Sequence, residues 1–207
     1  MLHLATVDPK TLEVLRQIFS LPELEDFALA GGTALALRYG HRKSIDLDLF
    51  GPSLNYDLVS NALIREFGED IIFDEVPGNW AIFSFIQNIK VDIIPHEATI
   101  LASPKKEEGL LLYSDEDIIA MKVHAIFGRG VKKDFWDIHE LLHYYPVETF
   151  IDCYQKKYPK QRLMISVPQA LTYFADAEES EQPVSLKNQN WESVKSYIRN
   201  KVSEFLR

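Results

Sequence analysis

Residues 31–50 read GGTALALRYGHRKSIDLDLF. Gly31 and Gly32 stand between a short apolar run at 27–30, a strand by its length, and a short helix expected over 34–40 and ended by Gly40. Glycine permits a tight turn and lets a ligand approach the backbone closely. A helix N-terminus carries free N–H groups and partial positive charge, which suits phosphate. Thr33 adds a hydroxyl, and twelve residues separate it from Asp46. Residues 45–50 alternate as Ile-Asp-Leu-Asp-Leu-Phe, the pattern of a half-buried strand. Asp46 and Asp48 then share one face, and Ile45, Leu47 and Leu49 share the other. Adjacent carboxylates repel one another unless a cation sits between them. Hard divalent ions such as Mg²⁺ or Mn²⁺ take oxygen ligands of this kind. For Asp-x-Asp alone, a solvent-facing edge strand is the plainer explanation. Gly-Gly-Thr at this distance shifts the balance toward a site.

Working outward, Asp92 lies alone in the apolar run Val91-Asp92-Ile93-Ile94. It is either an exposed strand-edge residue or a ligand. Beside Asp46 and Asp48 it completes a three-carboxylate set able to hold two metal ions, which stabilise both the attacking and the leaving oxygen of a phosphoryl transfer. Strands are expected at 71–76, 81–86 and 89–94, a helix from Pro9 behind an Asp8 cap with Leu12, Leu15, Ile18 and Phe19 at helical spacing, and another over 56–67. After residue 110 the pattern becomes helical, over 114–127, 134–144, 147–158, 168–175 and 191–206. The acidic stretch 176–181 reads as a solvated loop. An α/β lobe over 1–110 and a helical lobe over 111–207 follow.

The chain has 207 residues with 22 basic and 31 acidic side chains, a net charge of −9, and 46% apolar residues. Such a balance excludes disordered, collagenous and coiled-coil classes. It also excludes a generally basic nucleic-acid coat. No apolar run approaches the length of about 18 residues that crosses a membrane. The opening MLHLATVDPK lacks the basic and apolar regions of a secretory leader. The single cysteine, Cys153, permits no internal disulfide. A soluble, cytoplasmic protein is expected.

Gly-Gly-Thr, a dozen residues and Asp-x-Asp resembles the signature of the nucleotidyltransferase superfamily that includes DNA polymerase beta. The wording of 31–50 is similar to the AbiEii/AbiGii branch, the toxins of type IV toxin–antitoxin and phage-defence systems. The resemblance implies an α+β fold, with a polymerase-beta-like core of mixed sheet flanked by helices and a helical C-terminal lobe. It implies transfer of a nucleoside monophosphate from an NTP to an acceptor, with tRNA ends among the acceptors of that branch, and a cognate antitoxin as partner. Gly31, Gly32 and Thr33 would then hold the β- and γ-phosphates, and Asp46 and Asp48 a divalent ion, with Asp92 as third ligand. A catalytically silent nucleotide-binding relative, or a transferase acting on proteins or small molecules, keeps the same motifs.

The branch also carries a lysine and an aspartate on downstream helices, and residues 117–142, DIIAMKVHAIFGRGVKKDFWDIHELL, supply both. On a helical wheel Lys122 falls between Ile118 and Ile126, on the apolar face. An ammonium there needs an anion or must snorkel to solvent. The resemblance makes it a phosphate-binding cation. It makes Asp137 the residue that positions the acceptor or the lysine. Asp134 is Asp137's neighbour at i, i−3 or, instead, a helix cap. Arg38, His41, Arg42 and Lys43 form one basic cluster, and Arg129, Lys132 and Lys133 another. These read equally as phosphate contacts, Arg42 foremost, or as surface charge.

Residues 139–143, His-Glu-Leu-Leu-His, match the zinc-protease pattern H-E-x-x-H. A catalytic zinc needs a third protein ligand. No patterned third ligand follows, Glu178 and Glu179 being available only from the acidic loop. His139 and His143 are moreover expected on the opposite flank from Asp137.

Overall fold

A computed structural model describes residues 1–75 and 77–207. The chain divides into two compact units: 1–38 with 44–97 and 104–113, and 39–43 with 98–103 and 114–207.

The first unit is built on a seven-stranded sheet. Its strands are β1 (Ala28–Leu29), β2 (Leu47–Gly51), β3 (Ile71–Phe73), β4 (Ile82–Ile86), β5 (Ile89–Pro95), β6 (Lys105–Glu107) and β7 (Leu110–Leu112). The order is β3-β4-β5-β2-β1-β7-β6. β2 lies parallel to β5 and β1 parallel to β7, and the remaining pairs are antiparallel. The sheet is therefore mixed, as expected. Helices α1 (Pro9–Ser20), α2 (Gly31–Tyr39) and α3 (Tyr56–Phe67) accompany it. Asp8 caps α1 by accepting from the Lys10 amide, with Pro9 in the first turn. Asn55 caps α3. Gln87 and Asn88, both at positive φ, form the two-residue turn between β4 and β5. That turn fixes the register in which Asp92 stands opposite Phe83.

Three local expectations change. The expected strand 71–76 pairs only over Ile71–Phe73, and Val76 lies outside the described residues. The helix after Gly-Gly-Thr begins at Gly31 rather than at 34, because Gly31 adopts φ +67° and completes the turn out of β1 by itself. β2 begins at Leu47, where its pairing with β5 begins. Ile45 consequently lies outside the strand and is 65% exposed, not on the apolar face. The strands β6 and β7 went unread, being only three residues each.

The second unit contains α4 (Asp115–Gly128), α5 (Lys132–Leu141), α6 (Val147–Lys157), α7 (Val167–Thr172) and α8 (Trp191–Phe205). Ser114 caps α4, with three acids in the first turn. Capping boxes open α7 and α8. Phe135, Trp136, Phe150, Phe174 and Trp191 fill the interior, with Trp136 stacked on Trp191 at 5.8 Å. A buried Lys157–Asp117 pair (2.6 Å) also holds the Leu101 and Ala102 amides on Asp117. The acidic stretch is at the surface as expected, but Glu178 is anchored by Trp191 and Lys195 at 2.8 Å each.

Candidate active site

In the first unit, parallel pairing sets Asp48 directly beside Asp92. Registered residues of paired strands point to the same face, so the two carboxylates are neighbours, an arrangement that costs stability without a cation. Asp46 lies just ahead of β2. Gly31 packs onto Asp48: a Cβ at position 31 would stand 2.5 Å from Asp48 Oδ2. Thr33 is buried, and its hydroxyl is shared with Ser44 (2.8 Å) and the Asp46 carbonyl. Thr33 thus fixes the backbone that carries Asp46. Gly32 is buried in the same turn.

Lys90 is the residue that the sequence reading missed here. Its ammonium donates to Asp92 Oδ2 at 2.6 Å. Partial burial works against the Lys90 charge, but Asp92 first, then Asp48 and Asp46, outweigh it and raise its pKa. The signal was available: Lys90 and Asp92 are two apart on a strand and share a face.

The donor set fits a hard divalent cation. Carboxylate oxygens are its natural ligands, and Asp92 Oδ1 is buried without a hydrogen-bond partner. Among the described residues, no group of three or more His, Cys, Asp or Glu side chains is gathered closely enough to hold a metal ion unaided.

In the second unit, Asp137 is fully buried. It accepts from Arg42 Nε (2.7 Å) and Nη2 (2.8 Å), from His41 Nε2 (2.7 Å), and pairs with Lys122 (2.6 Å). Lys122 also donates to Asp134 at 2.9 Å, and Arg129 reaches Asp134 at 3.3 Å. Burial opposes the Asp137 charge, but Arg42 and Lys122 hold its carboxyl well below the usual carboxylate range. Burial likewise opposes the charge of Lys122, which Asp137 and Asp134 restore and raise. Asp134 lies in the first turn of α5, not at its cap, which is Val131.

The basic clusters are committed internally. His41 and Arg42 are buried on Asp137, Arg38 pairs with Glu107 at 2.8 Å, and Lys132 donates to the Glu178 and Ser180 carbonyls. The surface-charge reading of these four residues is therefore replaced. Their guanidinium, imidazole and ammonium groups satisfy carboxylates and carbonyls that burial or folding would otherwise leave bare.

His139 and His143 do not assemble a zinc site. α5 ends at Leu141, so His143 lies past the helix, with its Nδ1 3.0 Å from the Tyr197 hydroxyl. Glu140 is buried on Lys187 at 2.6 Å, and Glu178 is held as described. Burial, then the neighbouring His143, lowers the His139 pKa to about 4.

Comparison with known proteins agrees with this architecture. The model of the family described as "Nucleotidyl transferase AbiEii toxin, Type IV TA system" matches residues 13–203. The uncharacterized protein aq_aa25 of Aquifex aeolicus (strain VF5) is 34% identical over 199 residues, covering 94% of this chain and 95% of that one. MenT4, the nucleotidyltransferase toxin Rv2826c of Mycobacterium tuberculosis H37Rv, has a similar fold with a TM-score of 0.60 at 14% identity, covering 94% of this chain and 82% of its own. JHP933 of Helicobacter pylori gives a TM-score of 0.58 at 18% identity, covering 96% and 92%. The fold is the expected α+β nucleotidyltransferase core. Among the described residues no helix is long and apolar enough to cross a membrane. With its motifs in order and nearly its whole length matched, the chain belongs to the nucleotidyl transferase AbiEii toxin family of type IV toxin–antitoxin systems.

Proposed function

We propose that this protein transfers a nucleoside monophosphate from an NTP to an acceptor hydroxyl and releases pyrophosphate. The observation that carries the proposal is the register of Asp48 against Asp92, two carboxylates side by side next to Asp46 and under the close turn at Gly31. Asp46, Asp48 and Asp92 are the residues that would hold Mg²⁺ or Mn²⁺. When bound there, such an ion supplies Lewis-acid stabilisation of the charge that develops on the transferring phosphoryl group. Gly31 and Gly32 keep the backbone open to the triphosphate. Thr33 positions Asp46 through its carbonyl. In the reaction the acceptor oxygen bonds to the α-phosphorus, the α–β bridging P–O bond breaks with its electron pair leaving on pyrophosphate, and the acceptor's proton passes to water.

Asp137 was expected to position either the acceptor or the lysine. Its enclosure by Arg42, His41 and Lys122 favours the second role. Arg42 and Lys122 enter the proposal as residues whose orientation Asp137 fixes, with a nucleotide phosphate as the anion that Lys122 serves. A tRNA 3′ end is the acceptor we place first, and a cognate antitoxin is the partner that the family implies.

One observation favours a second reading, a nucleotide-binding relative without turnover: the Lys90 ammonium already occupies Asp92. Incubation with Mg²⁺, each α-labelled NTP in turn and total tRNA or lysate separates the two. Label on tRNA, lost with Asp48→Ala, supports transfer and identifies base and acceptor. Label on protein or a small molecule keeps the chemistry and changes the acceptor. NTP binding without label supports the silent relative, and no NTP binding overturns both.

A further inference from the structure

The carboxylate face carries a cation of its own. Lys90 and Asp92 occupy the same face of β5, and the Lys90 ammonium donates to Asp92 Oδ2 at 2.6 Å. Asp48, in register with Asp92 on β2, and Asp46 also act on that ammonium. Its side chain is 45% exposed, whereas that of Asp92 is 11% exposed. The carboxylate is therefore fixed and its partner is not. A lysine stem that exposed swings into water at little cost. Asp92 Oδ1, buried and unpartnered, is an acceptor that the single ammonium leaves unserved.

We propose that Lys90 is a tethered counter-ion: it fills the carboxylate site when no divalent ion is bound, and it is exchanged for that ion on loading. The inference rests on the reading of Asp46, Asp48 and Asp92 as the metal-binding face. It accounts for two features together. Without a cation, Asp48 and Asp92 are like charges placed directly opposite across a strand pair, and Lys90 relieves that repulsion. With a monovalent, half-exposed occupant, the relief is weak enough to be displaced by a divalent ion that brings twice the charge and can be shared by several carboxylates. Lys90 thus acts as a positioning residue for the metal site and as a competitor that sets its affinity.

The test is a titration of the full chain with Mn²⁺ alone, free ion being read by electron paramagnetic resonance. The proteins are the wild type, Lys90→Met, Lys90→Gln, Lys90→Arg, Asp48→Asn and Lys106→Met. Lys106 lies on β6, four strands from β5 and so about 19 Å away. Lys90→Met and Lys90→Gln should lower the Mn²⁺ Kd about two- to fivefold, the factor that a half-exposed ion pair represents. Lys90→Arg and Lys106→Met should leave it unchanged, and Asp48→Asn should raise it. An unchanged or higher Kd in both Lys90→Met and Lys90→Gln overturns the counter-ion role. If Asp48→Asn still weakens binding in that case, the metal-site reading survives alone. If neither the wild type nor the Lys90 variants bind Mn²⁺, the metal-site reading falls and the counter-ion falls with it.

Discussion

Asp48 and Asp92 lie on a sheet face with one half-exposed lysine; Asp134 and Asp137 lie among helices with two buried cations, Lys122 and Arg42. The chemical groups are the same and the surroundings are opposite. In the first region Asp46, Asp48 and Asp92 all act on the half-exposed ammonium of Lys90. In the second, Asp134 and Asp137 are held inside the protein by buried Lys122 and Arg42, with Arg129 also on Asp134 and His41 on Asp137. A partner that reaches water can give way to an external cation. Buried partners hold one another, and through Asp137 they fix the orientation of Arg42 and Lys122. The difference teaches that burial alone does not mark a site: the same carboxylates make a fixed internal network where their cations are buried and an exchangeable pairing where the cation reaches water.

The largest effect expected is on chemistry in the first region. Asp48→Ala should lower transfer of labelled nucleotide by about 10⁴-fold or more, upward of about 5 kcal/mol. Its thermal midpoint should stay at or slightly above the wild-type value, because a like-charge neighbour of Asp92 is gone. Retained transfer breaks the comparison at its first term.

In the second region the same kind of change should act on stability. Asp137→Asn leaves Arg42 and Lys122 buried without their shared anion and should cost about 3–5 kcal/mol in a urea melt. Loss of transfer without loss of stability would give Asp137 a direct part in the chemistry.

Acid should expose the second unit in two separate windows. His139 is buried, and its pKa in the folded chain is lowered to about 4 from 6.5. The unfolded chain takes up its proton first, so stability is lost as pH falls from about 6.5 to about 4, by up to about 3 kcal/mol. His139→Gln should flatten that limb. Asp137 and Asp134 have depressed pKa values in the folded state, so their contribution is complete above the ordinary carboxylate range. It is lost only below about pH 4, as pH falls toward their folded values. Urea melts of wild type and His139→Gln between pH 7 and pH 3 check both windows.

The smallest effect sharpens the first region. Gly31→Ala meets both the positive φ and the approach to Asp48 Oδ2. It should cost about 1–2 kcal/mol of stability. It should also lower transfer, since the carboxylate must give way.

Much of both regions was legible in the chain. Gly31, Thr33, Asp46 and Asp48 lie within 18 residues and are linked by one strand–helix–strand unit, so their spacing carries their meaning. Lys122 on the apolar stripe of a helix announced that it needed an anion, and Asp134 and Asp137 provide it. Three things were not legible there. Arg42 and His41 read equally as phosphate contacts or surface charge, because nothing local says that Asp137, 95 and 96 residues away, buries them. The match at His139–His143 lacked a third ligand from the start, but the end of α5 at Leu141 and the engagement of Glu140 by Lys187 are not written in five residues. Ile45 extended an alternating pattern whose pairing begins only at Leu47.

By itself the sequence determined an α/β half followed by a helical half, the alternating segment that carries Asp46 and Asp48, and the helix that carries Lys122. Those rest on periodicity, turn chemistry and short spacings, all properties of neighbours along the chain. Only the tertiary structure decided which charges answer which. It set Asp48 beside Asp92 through a parallel strand pair, put Lys90 on that face, and closed Arg42, Lys122 and His41 around Asp137. Electrostatic interaction depends on distance in space and on exclusion of water. Both are fixed only when segments far apart in the sequence pack together.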